Sequence, residues 1–369
     1  MIVIVFFIIT YVFFFTLLII GFFLLLNKKY TTSTEFKSPS ISIIVSLRNE
    51  YNRINSLLKS LDEQSIDLNN IELIFVDDHS NDDSFNKLNS WASTSKFKAK
   101  VVSLNDNLKG KKNAIIHGIS LSKSDYILSF DADISFNSKF LSTVSTFLSK
   151  EKDFYILPVV ENSKGNVFSI IESYMLSLVT MGSAKLKFPL LSNGAAMLFK
   201  RSCFNELNPF DNNQHVSSGD DIFILQSFKN NNKSFDLISP TDAFLFTEPS
   251  KSYGQYINRA IRWSGKMKFS DLHLTKLAGL LVLFTNYIAI GLLITFLFMP
   301  SLNILLLMLS KFFIDFLGLL FMVNVYGNIS LLAYSPLMLL FYPFHLLILF
   351  AMSFFNLQKS WKGRPLIEK

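Results

Sequence analysis

From Ile2 to Leu26 not one side chain is charged, and this run constrains the chain more than any other feature. A helix rises about 1.5 Å per residue, so a run of this length reaches across a hydrocarbon core about 30 Å thick. It is longer than a signal-peptide core, and neither a charged leader nor a small-residue cleavage site is evident, so residues 1–29 read as a retained transmembrane anchor. Lys28 and Lys29 follow directly, and the excess of cations on cytoplasmic flanks puts the next segment in the cytoplasm, under the plasma or inner membrane if the source is bacterial. A second apolar block occupies 277–356, with candidate spans Leu277–Met299, Asn303–Val323 and Leu331–Phe355, and a basic tail at 357–369 carries Lys359, Lys362, Arg364 and Lys369. Lys311 and Asp315 sit four apart on one helix face, where they can neutralise each other. Pro336 and Pro343 predict a kink in the third span. If all three cross, the basic tail ends opposite the cytoplasmic segment, so either one span is re-entrant or interfacial, or the charge rule fails.

Between these blocks the character changes. Half of all residues are hydrophobic and the mean hydropathy is +0.35, but the excess sits at the two ends, leaving about 40–271 as a water-soluble domain. Ile41–Leu47, Ile71–Val76, Ala99–Leu104 and Tyr126–Phe130 are short apolar runs suited to buried strands, and Arg53–Leu61 and Lys111–Leu121 between them have helical spacing. Strands alternating with helices predict an α/β domain with a mostly parallel sheet, helices on both faces, and ligands at the carboxyl ends of the strands. The net charge of +7 is modest and forms no dense tract, which favours anionic lipid over nucleic acid as a partner. A lone Cys203 excludes an intrachain disulfide and agrees with a reducing compartment.

Five elements carry candidate chemistry, the fifth in two parts, Ser218–Asp221 and Arg259–Trp263. Ser46-Leu47-Arg48-Asn49-Glu50 closes the first strand, and Ser46, Arg48 and Glu50 are candidate nucleotide-sugar contacts there. Asp77 and Asp78 close the second, where a carboxylate can accept hydrogen bonds from a base or ribose; Ser80, Asn81 and Asp82 after them are also good helix caps. Gly110-Lys111-Lys112 opens a helix, and its lysines serve either a phosphate site or a solvated surface. Asp131 and Asp133, spaced i, i+2 just past the fourth strand, can converge on one hard cation such as Mn²⁺ or Mg²⁺, which a diphosphate leaving group needs. Asp220 and Asp221 precede the apolar run Ile222–Leu225; adjacent carboxylates repel, so one can serve as a general base, while a helix-capping pair is the alternative. Arg259 and Arg262 share one helical face beside Trp263, either as a phosphate clamp or as a basic interfacial helix. The five histidines have no zinc spacing, and no P-loop, dinucleotide fingerprint or nucleophile elbow is visible.

In this order SIIVSLRNE, ELIFVDDHSNDDS, GKKNAI, FDAD, NGAAMLF and GDDIFIL resemble the signatures of the family 2 glycosyltransferases, over about residues 40–270. The resemblance implies the GT-A fold and an inverting transfer from a nucleotide diphosphate sugar, with UDP-sugars favoured as donors. Carried over by position, Asp77 and Asp78 contact base and ribose, Asp131 and Asp133 bind the metal, Asp221 is the catalytic base, and Asn193-Gly194 lines the acceptor side. Arg259-x-x-Arg262-Trp263 departs from the family's Q-x-x-R-W, which holds the acceptor's terminal sugar in membrane-bound members. A cation at 259 suits a phosphorylated or acidic acceptor, or a tighter grip on the diphosphate. Trp361-Lys362-Gly363-Arg364 is similar to a cytoplasmic tail of members with few spans. The expectation is a membrane-bound, metal-dependent hexosyltransferase acting on a lipid or lipid-linked glycan of the cell envelope, with Arg262 steadying the leaving group. The rivals are a processive polysaccharide synthase, for which at most four spans is few, and a non-catalytic membrane protein with a decayed transferase domain.

Overall fold

The computed structural model describes residues 2–26, 39–216, 218–266, 269–354, 360–361 and 364–365. Lys28, Lys29, the linker up to residue 38 and, in the tail, Lys359, Lys362, Gly363 and Lys369 lie outside the described residues. The chain forms two compact units: a helical one (Met1–Asn27, Ser163–Leu190, Pro249–Lys359) and an α/β one (Lys28–Asn162, Leu191–Glu248, Ser360–Lys369).

The helical unit contains α1 (Ile2–Leu26), α6 (Val167–Lys185), α9 (Tyr253–Lys266), α10 (His273–Phe298), α11 (Leu302–Tyr326) and α12 (Ser335–Phe354). Along α1, Ile8, Tyr11, Phe15, Leu18, Phe22 and Leu25 are buried at three- and four-residue intervals, whereas Ile2, Phe6, Ile9, Phe13, Ile20 and Leu24 are exposed. A helix apolar on both its packed and its open face suits lipid as its surroundings better than water. Among the described residues four helices, α1, α6, α10 and α11, are long and apolar enough to cross a membrane. Of these, α6 is the least apolar, because Ser169, Ser173, Ser177, Thr180 and Ser183 dilute its apolar residues, and it is not among the spans expected from the sequence. Those small side chains are what close packing requires. Where α6 meets α1, a Cβ on Gly182 would lie 2.4 Å from the Leu18 carbonyl oxygen, and one on Gly21 would lie 2.5 Å from that of Gly182. The last apolar segment is broken, its halves Ile329–Met338 and Leu340–Met352 meeting at 69°. Pro343 stands inside α12, where its ring removes an intrahelical bond.

One ion pair inside this unit is fully satisfied. Lys311, only 2% exposed, places Nζ 2.8 Å from Asp315 Oδ2, as the four-residue spacing predicts, and donates to Asn286 Oδ1 at 2.9 Å. Tyr11 donates its hydroxyl to Asp315 Oδ1 at 2.7 Å, so the network joins α1, α10 and α11.

The α/β unit is built on β1 (Ile41–Leu47), β2 (Ile71–Asp77), β3 (Lys98–Ser103), β4 (Tyr126–Asp131), β6 (Phe154–Ile156), β8 (Ala196–Lys200) and β9 (Phe235–Leu237), in the spatial order β3-β2-β1-β4-β8-β6-β9. The first four are mutually parallel, and β8 runs antiparallel to β4 and β6. Helices α2 (Asn55–Asp62), α3 (Ser84–Thr94), α4 (Lys111–Leu121), α5 (Phe140–Leu148), α7 (Arg201–Leu207) and α8 (Asp220–Asn230) connect them. A small sheet orders β5 (Ile134–Phe136), β10 (Leu245–Thr247) and β7 (Val159–Glu161), and β11 (Ser360–Trp361) pairs with β12 (Arg364–Pro365). The mostly parallel α/β fold expected from the strand-helix alternation is therefore present. Central strands covered on both faces read as nearly continuous apolar runs, which is why ISIIVSL and YILSF are so legible. Phe130, Phe136 and Phe140 pack ring against ring in the core, at centroid distances of 4.7–5.9 Å. On the sheet's cover, Gly118 of α4 lets the helix approach β1 so closely that a Cβ would meet Ile44 Cγ2 at 2.6 Å.

Candidate active site

Strand register decides which loops meet. β1 pairs Ser46 with Asp131 on β4 and Leu47 with Asp77 on β2, so three of the sequence elements leave the sheet at the same edge. Two of the turns they enter place a non-glycine residue in the left-handed region, Asn49 at φ +53° and His79 at φ +56°. Cross-bonds hold them: Arg48 Nη1 donates to the carbonyls of Asp78 (2.7 Å) and His79 (2.6 Å), and the Asn49 and Asn81 amides donate to Ser80 Oγ and Asn49 Oδ1. Arg48 thus braces the second element with the first. Asp78 Oδ2 accepts from the amide of Gly110, whose φ of +91° favours glycine, which ties in the third element. Asp77 Oδ2 accepts from Ser80 N at 3.0 Å, but Asp77 Oδ1 and Ser46 Oγ are buried with no hydrogen-bond partner. Leaving a buried acceptor unsatisfied costs about 1–3 kcal/mol, so these two atoms mark where a polar ligand repays the cost.

Lys111, at the start of α4, draws the remaining elements together. Its Nζ lies 2.8 Å from each of Asp131 Oδ1, Asp220 Oδ2 and the Gly194 carbonyl oxygen. Burial alone would lower its pKa, but the two carboxylates reverse that and hold it above the ordinary lysine value. Burial pushes Asp220 upward; Lys111 opposes the shift, and Asp221 and Asp131 reinforce it. Gly219, at φ +92°, turns the chain into α8, so both acids occupy the first helical turn, where the backbone dipole favours negative charge. Asp221 Oδ1 accepts from the Ile222 amide at 2.9 Å. Gly194 presses on the pair: a Cβ there would be 3.4 Å from Asp220 Oδ2 and from Asp221 Cγ.

The neighbouring Lys112 has a different environment. It is buried, donates to the Asn213 carbonyl (2.6 Å) and Oδ1 (2.7 Å), and lies 4.2 Å from the Phe223 ring centroid, bracing the segment that leads into α8. Burial draws its pKa down to about 8, against the pull of Asp220 and Asp221.

Asp133 meets a residue that motif reading passes over. Arg53 pairs with it through Nη2, and with Glu50 (3.4 Å) and Glu248 (2.9 Å) through its other nitrogens. Burial raises Asp133 to about 6; Arg53 opposes, and Asp131, Glu50 and Glu248 add to the rise. The i, i+3 spacing of Glu50 and Arg53 was the available signal, but Glu248 lies nearly two hundred residues away, and nothing local links it to the site.

Arg259, Arg262 and Trp263 belong to α9 of the helical unit. Arg259 donates to Ser169 Oγ on α6, and its guanidinium lies 5.0 Å from the Trp263 ring centroid, a cation–π distance.

The acids can be tested for a divalent cation. Among the described residues no group of three or more His, Cys, Asp or Glu side chains is arranged to hold a metal. Mg²⁺ is commonly held by one or two carboxylates together with substrate phosphates, and Asp131 and Asp133 fit that mode: oxygen donors, two residues apart, each already facing a cation of the chain itself.

The sequence matches the family profile "Glycosyl transferase family 2" over residues 42–205 and "Glycosyl transferase family group 2" over residues 126–355, the latter more than half of the chain. A 4,4'-diaponeurosporenoate glycosyltransferase of Staphylococcus haemolyticus (strain JCSC1435) is 33% identical over 121 residues, which is 31% of this chain and 30% of that relative. The chain therefore aligns with just under a third of its length. Among solved structures, the mannosyltransferase PcManGT from Pyrobaculum calidifontis, in complex with GDP-Man and Mn²⁺, aligns over 95% of this chain and 100% of its own with 16% identity and a TM-score of 0.58, a likeness of fold. The profile that spans more than half of the chain, on a fold that agrees with it, defines the class as a glycosyltransferase. The chain belongs to the family 2 glycosyltransferases.

Proposed function

We propose that the enzyme is membrane-bound and transfers a sugar, with inversion and metal dependence, from a nucleotide diphosphate sugar to a lipid or lipid-linked acceptor. One observation carries this reading: a single ammonium, Lys111 Nζ, touches Asp131, Asp220 and the Gly194 carbonyl. The carboxylate expected beside the diphosphate and the pair expected beside the acceptor hydroxyl thus lie within one lysine's reach. Ser46 and Asp77 offer unpartnered buried oxygens to the nucleoside, and Asp78 holds the Gly110 turn beside it. Asp131 and Asp133 would hold Mn²⁺ or Mg²⁺, which when bound offsets negative charge on the departing phosphate.

In this scheme Asp221 takes the proton of the acceptor hydroxyl, and the resulting oxygen attacks the anomeric carbon. The bond from that carbon to the phosphate oxygen breaks on the opposite face, and the nucleoside diphosphate leaves with the bonding electrons. Arg262 steadies the leaving group, and Arg259 with Trp263 faces the acceptor. The four apolar helices support an acceptor drawn from the membrane, and a cytoplasmic catalytic unit is the sidedness proposed.

The test is a donor screen on the full chain in detergent with added lipid extract, following UDP or GDP release from a panel of nucleotide sugars with Mn²⁺, Mg²⁺ or chelator. Release that needs metal, disappears in Asp133→Asn and labels the lipid fraction is expected. Metal-independent release would remove the metal role, and a growing polymer on a gel would point to a processive synthase.

A further inference from the structure

Arg53 carries more acid than an ion pair requires. Its amide donates to the Glu50 carbonyl at 2.9 Å, fixing it in the turn before α2. From there its guanidinium meets three carboxylates: Glu50 at 3.4 Å, Glu248 at 2.9 Å, and Asp133. The backbone builds this convergence. β5 begins at Ile134, directly after Asp133, and pairs antiparallel with β10, which ends at Thr247, directly before Glu248; Ile134 and Thr247 are register partners. Asp133 and Glu248 are thereby the next residues along two paired strands, and Arg53 reaches across both. The Arg53 side chain is 40% exposed and that of Asp133 15%, so the cation comes in from the open side.

One cation against three carboxylates leaves an excess of two negative charges, the charge of a divalent cation. We propose that Arg53 is a positioning residue that occupies Asp133 until a divalent cation takes its place, after which Glu50 and Glu248 retain the guanidinium. The inference rests on the metal-binding reading of Asp133. The exchange strands no charge, because Arg53 gives up one carboxylate and keeps two. It also makes the cation compete with the protein's own arginine, so metal binds weakly until a nucleoside diphosphate adds its phosphate oxygens.

Mn²⁺ binding to the full chain in detergent, read from the electron paramagnetic resonance signal of free Mn²⁺ with and without UDP or GDP, tests this without reference to turnover. The wild type is expected to bind Mn²⁺ more tightly with one of the nucleotides present. Arg53→Gln should raise the nucleotide-free Mn²⁺ affinity about fivefold, the worth of one partly exposed ion pair. Arg53→Lys, which keeps the charge, should return it to the wild-type value. Glu248→Gln should weaken nucleotide-free binding about threefold, because Arg53 then rests more firmly on Asp133. Unchanged or weaker Mn²⁺ affinity in a folded Arg53→Gln overturns the proposal. If that variant does not fold, unchanged or tighter binding in Glu248→Gln overturns it instead. A wild type that binds no Mn²⁺ with either nucleotide overturns the metal reading and this proposal together, whereas Mn²⁺ binding that ignores Arg53 overturns the proposal alone.

Discussion

Two charge clusters, one in each unit, are built in opposite ways. At the strand ends of the α/β unit, Lys111 and Arg53 face Asp131, Asp220, Asp133, Glu50 and Glu248, two cations against five carboxylates. In the helical unit, Lys311 and Asp315 are matched one to one, and Asn286 and Tyr11 satisfy what remains. An acid-rich cluster is repulsive until something positive arrives, and such clusters are where ligand sites form. A balanced buried pair has nothing left to offer a ligand. The imbalance is what makes the first cluster the proposed site; the balance makes the second a device that joins helices.

The largest expected effect follows from the unbalanced side. Asp133→Asn and Asp221→Asn should each lower turnover by roughly 10³-fold, the scale of losing a metal ligand or general base. Neither should lower the melting temperature, since Asp133 belongs to a cluster with too many carboxylates and Asp221 repels Asp220 beside it. Initial rates and thermal melts on the same preparations check both halves. A variant that keeps near-normal turnover loses the role assigned to it. A variant that melts well below the wild type would show that the cluster is structural, and the contrast between the clusters would collapse.

How far the sequence reveals this contrast depends on how local each cause is. The strands β1, β2 and β4 are legible because burial on both faces writes a nearly continuous apolar run, interrupted only by Ser42, Ser46, Glu72 and Ser129. Asp131 and Asp133 are legible because they directly follow such a run. The antiparallel strand β8 and the short strands β5, β6, β7 and β10 are not, since three to five residues give no usable period. The helix α6 is hidden by the small residues that let it pack against α1. Lys111 and Lys112 look equivalent in sequence, yet one faces Asp131 and Asp220 and the other is enclosed by Asn213 and Phe223; helix rotation separates them. Asp133 and Glu248, which Arg53 bridges, become neighbours only through the pairing of β5 with β10.

The balanced side is sharpened by a pair of variants. Lys311→Met alone leaves Asp315 without its cation among apolar helices, and breaking a buried pair in this way costs about 3 kcal/mol. Replacing both, as Lys311→Met with Asp315→Leu, should cost less than the single change, because no charge is then left unpaired, although Tyr11 Oη and Asn286 Oδ1 each lose a partner. Thermal or denaturant unfolding of the two variants in the same detergent makes the comparison. A double variant less stable than the single one would mean that the pair contributes more than mutual neutralisation. Catalytic rates normalised to folded protein should be unaffected in both.

The smallest effect tests whether balance or burial is the operative variable. Lys150 and Asp236 in the α/β unit also form an ion pair, at 2.7 Å, but the Lys150 side chain is 34% exposed against 3% for that of Lys311, whereas the carboxylates are similarly exposed at 21% and 27%. Lys150 Nζ additionally lies 4.1 Å from the Phe147 ring centroid, so its stem and charge retain a partner if the carboxylate is lost. Asp236→Asn should therefore cost only about 0.5 kcal/mol, screened further by salt, although this is an ion pair as Lys311 with Asp315 is. Unfolding at low and at high ionic strength separates the screened portion from any lost hydrogen bond. A cost approaching that of Lys311→Met would mean that ion pairing stabilises wherever it occurs; a cost near zero at high salt leaves enclosure among apolar helices as the reason the buried pair matters.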